Sequence, residues 1–208
     1  MSPTSQYYES TELSADSVES HPYLPHVFAV STYQVDKDES EKDAASPTYS
    51  RRGRCRLHRY QDGQCTVLDE LNGAAILDAK WSLATRNPRS MGYGVLAIAD
   101  ATGHVRLHRL EETLRFSQLA AWQMNEEAAL CLSLDFSDRT QPEASDARVL
   151  VSQSNGSLAM VPSLHATTPK GIETWEAHGY EAWIAAWDTF SGGTVAWSGM
   201  LYTGSSRW

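Results

Sequence analysis

The chain has 208 residues, of which 41% are hydrophobic and 21% charged, a balance typical of a globular protein rather than a disordered or fibrous one. Its formal net charge of -9 argues against a general nucleic-acid binder, which needs a basic surface to displace counterions from phosphates. No apolar run is long enough to span a membrane, and the N-terminus lacks the pattern of a signal peptide. We therefore expect neither a nucleic-acid nor a membrane partner.

The three cysteines are Cys55, Cys65 and Cys131. Their number is odd and no two of them form a Cys-x-x-Cys pair, so they predict neither a disulfide framework nor a zinc ligand set. This use of cysteine is typical of a reducing compartment. We expect a cytoplasmic protein without a metal or another cofactor.

Residues 1–20 are rich in Ser, Thr and Glu and predict a disordered acidic tail, with room for a first strand late in the segment. From His21 onward, short runs of aliphatic and aromatic residues alternate with turn residues, beginning with residues 27–33. We therefore assign residues 21–208 to one folded unit.

An internal repeat organises this unit. The sequence Arg-Leu-His-Arg occurs twice, three residues after Gly53 and three residues after Gly103, and these glycines are 50 residues apart. A looser copy follows Gly156. We interpret all three as turn glycines, because glycine readily adopts the backbone conformation that a tight hairpin requires.

Each repeat predicts four short strands with period-two alternation and no sustained helical period. The best-defined unit has strands at 76–82, 95–100, 105–110 and 116–122. The next has strands at 129–137, 148–154, 157–162 and 173–177, and another begins at Ala182. Tandem four-stranded units of this length predict an all-β fold, a WD40-type β-propeller with about three and a half blades. Because an open ring leaves strand edges uncovered, we expect a C-terminally truncated form.

The chain matches the pattern of one known family in six stretches, namely 15–19, 31–35, 76–82, 132–136, 152–158 and, most specifically, 175–187. Through these stretches it resembles the diphthine methyl-esterase family, WD-repeat proteins of diphthamide biosynthesis. The similarity ends after Val195, where the family would continue into further blades.

The resemblance implies a carboxylic-ester hydrolase that removes the methyl ester from diphthine on translation elongation factor 2 and releases methanol. Elongation factor 2 carrying methylated diphthine would then be the partner. The substrate side chain carries a trimethylammonium group, and an acidic, aromatic surface suits such a cation. The alternatives are a non-catalytic WD40 interaction scaffold and an inactive truncated form.

No Gly-x-Ser-x-Gly sequence is present, so attack by water assisted by a histidine is the mechanism that we favour. The catalytic candidates are His178 as base, with Glu181 or Asp188 orienting it. The competing interpretation makes His178 the histidine that WD repeats place before a first strand. We favour this structural interpretation of His178 over the catalytic one, because residues that serve the fold outnumber catalytic residues. The two carboxylates could equally serve turns.

Several neighbours have structural interpretations that we prefer to functional ones. Trp183 and Trp187 are spaced for a buried face, and His58 and His108 are expected on solvent-exposed strand faces. His104 and His108 could hold a metal from one strand face, but no third ligand is near in sequence. The Asn155-Gly156-Ser157 sequon is interpreted as a hairpin turn.

Overall fold

The computed structural model describes residues 7–37, 49–83, 92–125, 129–139, 147–162, 171–188, 190, 196–199 and 205–207. Within these residues the regular structure consists of fifteen β-strands in four antiparallel sheets. No helix among them has the length and apolar character needed to cross a membrane.

The first two sheets each have four strands in sequence order. The first contains β1 (Ser14–Ser20), β2 (Val27–Lys37), β3 (Tyr49–Gln61) and β4 (Gln64–Ala74). The second contains β5 (Ile76–Trp81), β6 (Gly94–Asp100), β7 (His104–Leu110) and β8 (Phe116–Gln123).

The third and fourth sheets continue the pattern. The third contains β9 (Cys131–Phe136), β10 (Val149–Gln153), β11 (Ser157–Val161) and β12 (Glu173–Glu176). The fourth contains β13 (Ile184–Trp187), β14 (Ala196–Gly199) and β15 (Ser205–Arg207). We call these sheets blades 1 to 4.

The first strands of the blades, β1, β5, β9 and β13, lie next to one another in that order. They are the inner strands, from which each blade extends outward. This arrangement is that of a β-propeller, as the repeat predicted, and the ring is not closed.

The core lies between blades rather than within one. Leu57 of blade 1 packs with Trp81 and Leu96 of blade 2, and Leu107 of blade 2 packs with Phe136 of blade 3. A third cluster joins blades 3 and 4. Each sheet therefore buries its apolar faces against its neighbours, as expected for stacked four-stranded units that cannot bury them alone.

Two of the three proposed turn glycines are confirmed. Gly103 has φ +77° and Gly156 has φ +84°, and each lies in the tight turn between the second and third strands of its blade. Gly53 is different and that prediction is wrong. It lies within β3, where a Cβ would stand 2.2 Å from the Thr32 carbonyl oxygen. Glycine is required there by the close approach of two backbones.

The boundary at residue 20 also needs correction. Ser14–Ser20 forms β1, which pairs with β2, so the strand expected late in residues 1–20 is present and the folded unit begins earlier than residue 21. The segment lacks apolar alternation because most of its side chains are exposed at the inner edge of the blade. Residues 1–6 of the predicted tail lie outside the described residues.

Candidate functional site

His178 lies where blades 3 and 4 meet. Its backbone N–H donates to the Gly156 carbonyl at 3.0 Å, and a Cβ on Gly156 would stand 2.2 Å from the His178 carbonyl oxygen. The imidazole is buried, and its Nε2 is 2.7 Å from Ser198 Oγ on β14. The ring thus hydrogen-bonds into the following blade, in agreement with the structural interpretation.

Glu181 and Asp188 lie beyond opposite ends of β13. Glu181 is exposed before the strand. Asp188 follows it, and its Oδ1 accepts a hydrogen bond of 2.9 Å from the Phe190 N–H, the contact of an acid in a turn. Catalytic roles for these carboxylates and for His178 stay predictions.

The two tryptophans of this stretch differ. Trp187 is buried, as predicted, and the Arg148 guanidinium lies 4.5 Å from its ring centroid. Trp183 is 50% exposed, so its predicted burial is wrong. Ile184, the first residue of β13, is also exposed. Trp183 and Ile184 therefore place two neighbouring apolar side chains in contact with solvent. Tyr180 and Glu181 are also exposed.

The expectation that His58 and His108 are solvent-exposed is wrong for both. Each is only 6% exposed. His58 stacks on Phe28 with ring centroids 5.2 Å apart, and His108 meets the ring of Phe116 edge-on at 6.1 Å. A strand's period-two pattern assigns a side chain to a face but does not tell whether other residues cover that face.

Two smaller predictions concern turns. His104 Nδ1 lies 3.0 Å from Thr102 Oγ1 in the β6–β7 turn, and the group of three possible metal ligands found among the described residues contains neither His104 nor His108. Asn155 Oδ1 accepts a hydrogen bond of 3.1 Å from the Ser157 N–H, which confirms the sequon as a turn.

The inner strands carry features that the sequence analysis did not single out. A β-bulge interrupts each of the first three at matching positions, so that Asp16, Leu77 and Leu132 have no cross-strand partner. Bulges redirect side chains and are frequent near functional sites. The only ionisable side chain at these three positions is that of Asp16.

Side chains of one inner strand also satisfy the backbone of the next. Asp78 Oδ2 accepts from the Leu134 N–H at 2.9 Å, and Asp135 Oδ2 accepts from the Trp187 N–H at 2.9 Å. Ser133 Oγ accepts in the same way from the Ala185 N–H. These contacts saturate donors at the free edge of each inner strand. Carboxylates inside otherwise apolar strands were the signal for them in the sequence.

Asp16 combines its position at the β1 bulge with a raised pKa. Desolvation and the neighbouring Asp78 carboxylate raise its pKa to about 6, while Lys80 acts in the opposite direction. Lys80 itself pairs with Glu19 at 2.7 Å and with Asp78 at 3.2 Å. Asp16 makes no hydrogen bond or ion pair with the rest of the described chain. A carboxylate with these properties suits proton transfer near neutral pH.

Comparison with solved structures bears on the fold. Sqt1 of Chaetomium thermophilum, bound to the N-terminus of the ribosomal protein L10, superposes with a TM-score of 0.63 at 17% identity, covering 92% of this chain and 44% of that one. Sqt1 of Saccharomyces cerevisiae gives 0.63 at 14% identity, covering 97% and 47%. Both are WD40 propellers. The fold and its repeats therefore define a WD40-type β-propeller chain.

Comparison with curated proteins gives the family. The chain is 32% identical over 203 residues to the Homo sapiens protein named diphthine methyltransferase, covering 86% of this chain and 43% of that protein. The Schizosaccharomyces pombe protein of the same name is 30% identical over 175 residues, covering 83% and 45%. No protein-family model matches.

The chain belongs to the diphthine methyltransferase family, the family that the sequence resemblance indicated. The chain spans less than half the length of these curated relatives.

Proposed function

We propose that this chain forms part of a hydrolase of diphthamide biosynthesis, which removes the methyl ester of diphthine on translation elongation factor 2. The observation that carries the proposal is the family membership, since the matched proteins are named for diphthine. We place the reaction in the cytoplasm. The three cysteines, all free, fit a reducing compartment.

The exposed residues before β13 support recognition of the substrate's cation. Tyr180 is 73% exposed and Trp183 is 50% exposed, and the exposed carboxylate of Glu181 lies between them in the sequence. Aromatic faces and a carboxylate attract a trimethylammonium group by cation–π and charge interactions. This surface lies in the stretch 175–187, where the resemblance to the family is most specific.

Asp16 is the group that we assign as general base. The His178 ring is buried and engaged by Ser198, whereas Asp16 is exposed on an inner strand. Its carboxylate would take a proton from water as the water oxygen adds to the ester carbonyl. The methoxide then leaves and takes that proton from the Asp16 carboxyl group to form methanol, and the carboxylic acid product ionises to the carboxylate. Hydrolysis requires no other reactant.

The test is methanol release from elongation factor 2 carrying methylated diphthine, with the full 208-residue chain. General-base catalysis contributes about 10²–10⁴-fold, so Asp16→Asn should lower the rate by at least about tenfold. Asp62→Asn, in an exposed turn, is the matched control. Activity should also rise with pH through about 6, as the Asp16 carboxylate forms. Methanol release no faster than in buffer would refute hydrolysis by this chain.

A non-catalytic binding role is the second candidate, favoured by the exposed Tyr180, Trp183 and Ile184 side chains. Such patches mark protein-interaction surfaces. The same assay separates the two functions. Binding of elongation factor 2 that is lost in Trp183→Ala, without any methanol release, would indicate the scaffold.

A further inference from the structure

Three side chains of types that can bind a metal ion come together on the face of blade 1 that points away from blade 2. A carboxylate oxygen of Glu9, a ring nitrogen of His58 and the sulfur of Cys65 all lie within 4.8 Å of one another. His58 Nδ1 and Cys65 Sγ are 3.4 Å apart. This was the only such group of three found among the described residues, and it is separate from the inner strands and from His178.

Strand register brings the histidine and the cysteine together. In the β3–β4 hairpin, His58 pairs with Val67, so Cys65 is the diagonal neighbour two residues along. Diagonal neighbours lie on one face of a sheet, within reach of long or aromatic side chains. Both residues therefore face away from blade 2.

Glu9 is supplied by a segment that crosses this face. We call residues 7–12 the strap. At one end the Tyr7 ring lies 6.4 Å from the Tyr60 ring. At the other, Arg54 Nη2 donates to the Thr11 carbonyl and to Glu12 Oε2, the latter at 2.8 Å. The strap is thus attached on both sides of Glu9.

We propose that Glu9, His58 and Cys65 bind a divalent cation of the zinc class. Sulfur, imidazole nitrogen and carboxylate oxygen together are the donor set that zinc prefers. Three protein ligands leave a fourth position open. A cavity of about 220 Å³ borders all three residues and gives room for a water or a small ligand there.

Closing the site requires a small movement. Zinc bonds of about 2.0–2.3 Å place tetrahedral ligand atoms about 3.5 Å apart. The His58 and Cys65 atoms are 3.4 Å apart and all three ligand atoms lie within 4.8 Å, so the Glu9 carboxylate needs to approach by roughly 1 Å at most. Glu9 lies outside any strand, in the strap, where such a shift does not disturb a ladder. Its present partner is the Tyr7 hydroxyl, which donates to Glu9 at 3.2 Å.

The protonation states are compatible with binding. Burial lowers the pKa of His58, and a neutral ring is the form that binds metal. Burial and Glu9 raise the pKa of Cys65, so the free thiol holds its proton and releases it as the sulfur–metal bond forms. The cations on this face are already paired, Arg54 with Glu12 at 2.8 Å and Arg56 with Glu70 at 2.5 Å.

The experiment is titration of the full 208-residue chain with Co²⁺, followed by competition with Zn²⁺. We expect one ion per chain, a tetrahedral absorption spectrum and a sulfur-to-cobalt charge-transfer band that Zn²⁺ removes. The band should disappear in Cys65→Ser, and affinity should fall at least about tenfold in His58→Asn and Glu9→Gln. The control variants His104→Asn and Glu112→Gln should bind as the unaltered chain does.

Circular dichroism of each variant shows whether it is folded, so a loss of binding can be assigned to the ligands. A folded chain without the charge-transfer band, or a band that survives in Cys65→Ser, would overturn the proposal. The measurement is independent of methanol release, so the metal site and the proposed hydrolase activity can fail separately.

Discussion

The same four residues, Arg-Leu-His-Arg, occur in β3 of blade 1 and in β7 of blade 2, and their surroundings differ. Leu57 and Leu107 are both fully buried against the following blade. His108 faces back toward blade 1, bordering a cavity lined by Leu71 and Ile76. His58 instead faces the strap and Cys65. The repeated sequence places equivalent side chains on the same face of their blades. The residues that cover this face differ between the blades, and they determine which groups each histidine contacts.

The largest effect is expected at the leucine that both copies of the repeat bury. Leu57→Ala and Leu107→Ala each remove a side chain with 0% exposure, so each should lower the free energy of unfolding by about 2–5 kcal/mol. Urea denaturation measures both. Val67→Ala, at a site 46% exposed, should change it by less than about 0.5 kcal/mol. A small effect at only one leucine would show that the two blade interfaces are not equivalent.

Substitutions in hairpin turns of blades 1 and 2 should differ in their effect on stability more than the two leucine substitutions do. Asp100 is 2% exposed, accepts from the Thr102 and His104 N–H groups, and pairs with Arg106 at 2.8 Å. Asp100→Asn removes the charge of this network and should cost about 1–3 kcal/mol. In blade 1 the Asp62-Gly63 turn joins the third and fourth strands, β3 and β4, and Asp62 is exposed. Asp62→Asn should be nearly neutral in the same denaturation assay, and equal losses would contradict this comparison.

The histidines give the smallest effect, and it depends on pH. Burial and the Arg106 charge lower the pKa of His108 from 6.5 to about 4. As the pH falls, the unfolded chain takes up the proton first, so stability conferred by the neutral ring is present above 6.5 and lost between 6.5 and 4. For one histidine the loss between pH 7 and 5.5 is about 1 kcal/mol.

His108→Asn should therefore flatten the dependence of unfolding free energy on pH in that interval. His58→Asn, measured with a chelator present, should flatten it less, because Glu9 opposes the lowering of the His58 pKa. An unchanged slope in His108→Asn would show that folding does not lower the pKa of this ring.

The fold could be predicted where the turn residues in the sequence agree with the match between the copies of the repeat. Strands predicted at 95–100 and 105–110 correspond to β6 and β7, and the Gly103 turn lies between them. In blade 1 the signals disagree. The Asp62-Gly63 turn, a strong hairpin sequence, joins β3 and β4, whereas the match to the repeat predicted a turn at Gly53, which lies within β3.

The sites could be predicted less well, because they depend on residues that are distant in sequence. The raised pKa of Asp16 arises from desolvation and from the carboxylate of Asp78, which belongs to another blade. Glu9 meets His58 and Cys65 only when the strap lies on blade 1. His178 shows the converse, since a recognised local pattern correctly suggested its structural hydrogen bond.

The hydrogen bonds made within the inner strands have a direction along the chain, whereas just beyond β5 and β9 Ser82 and Leu83 donate to the later Asp138. The acceptors Glu19, Asp78 and Asp135 each precede their donors Lys80, Leu134 and Trp187. During synthesis, the acceptor of each contact leaves the ribosome before the group that it binds. Each newly emerged blade thus meets a prepared docking edge, an order suited to folding by successive addition from the N-terminus.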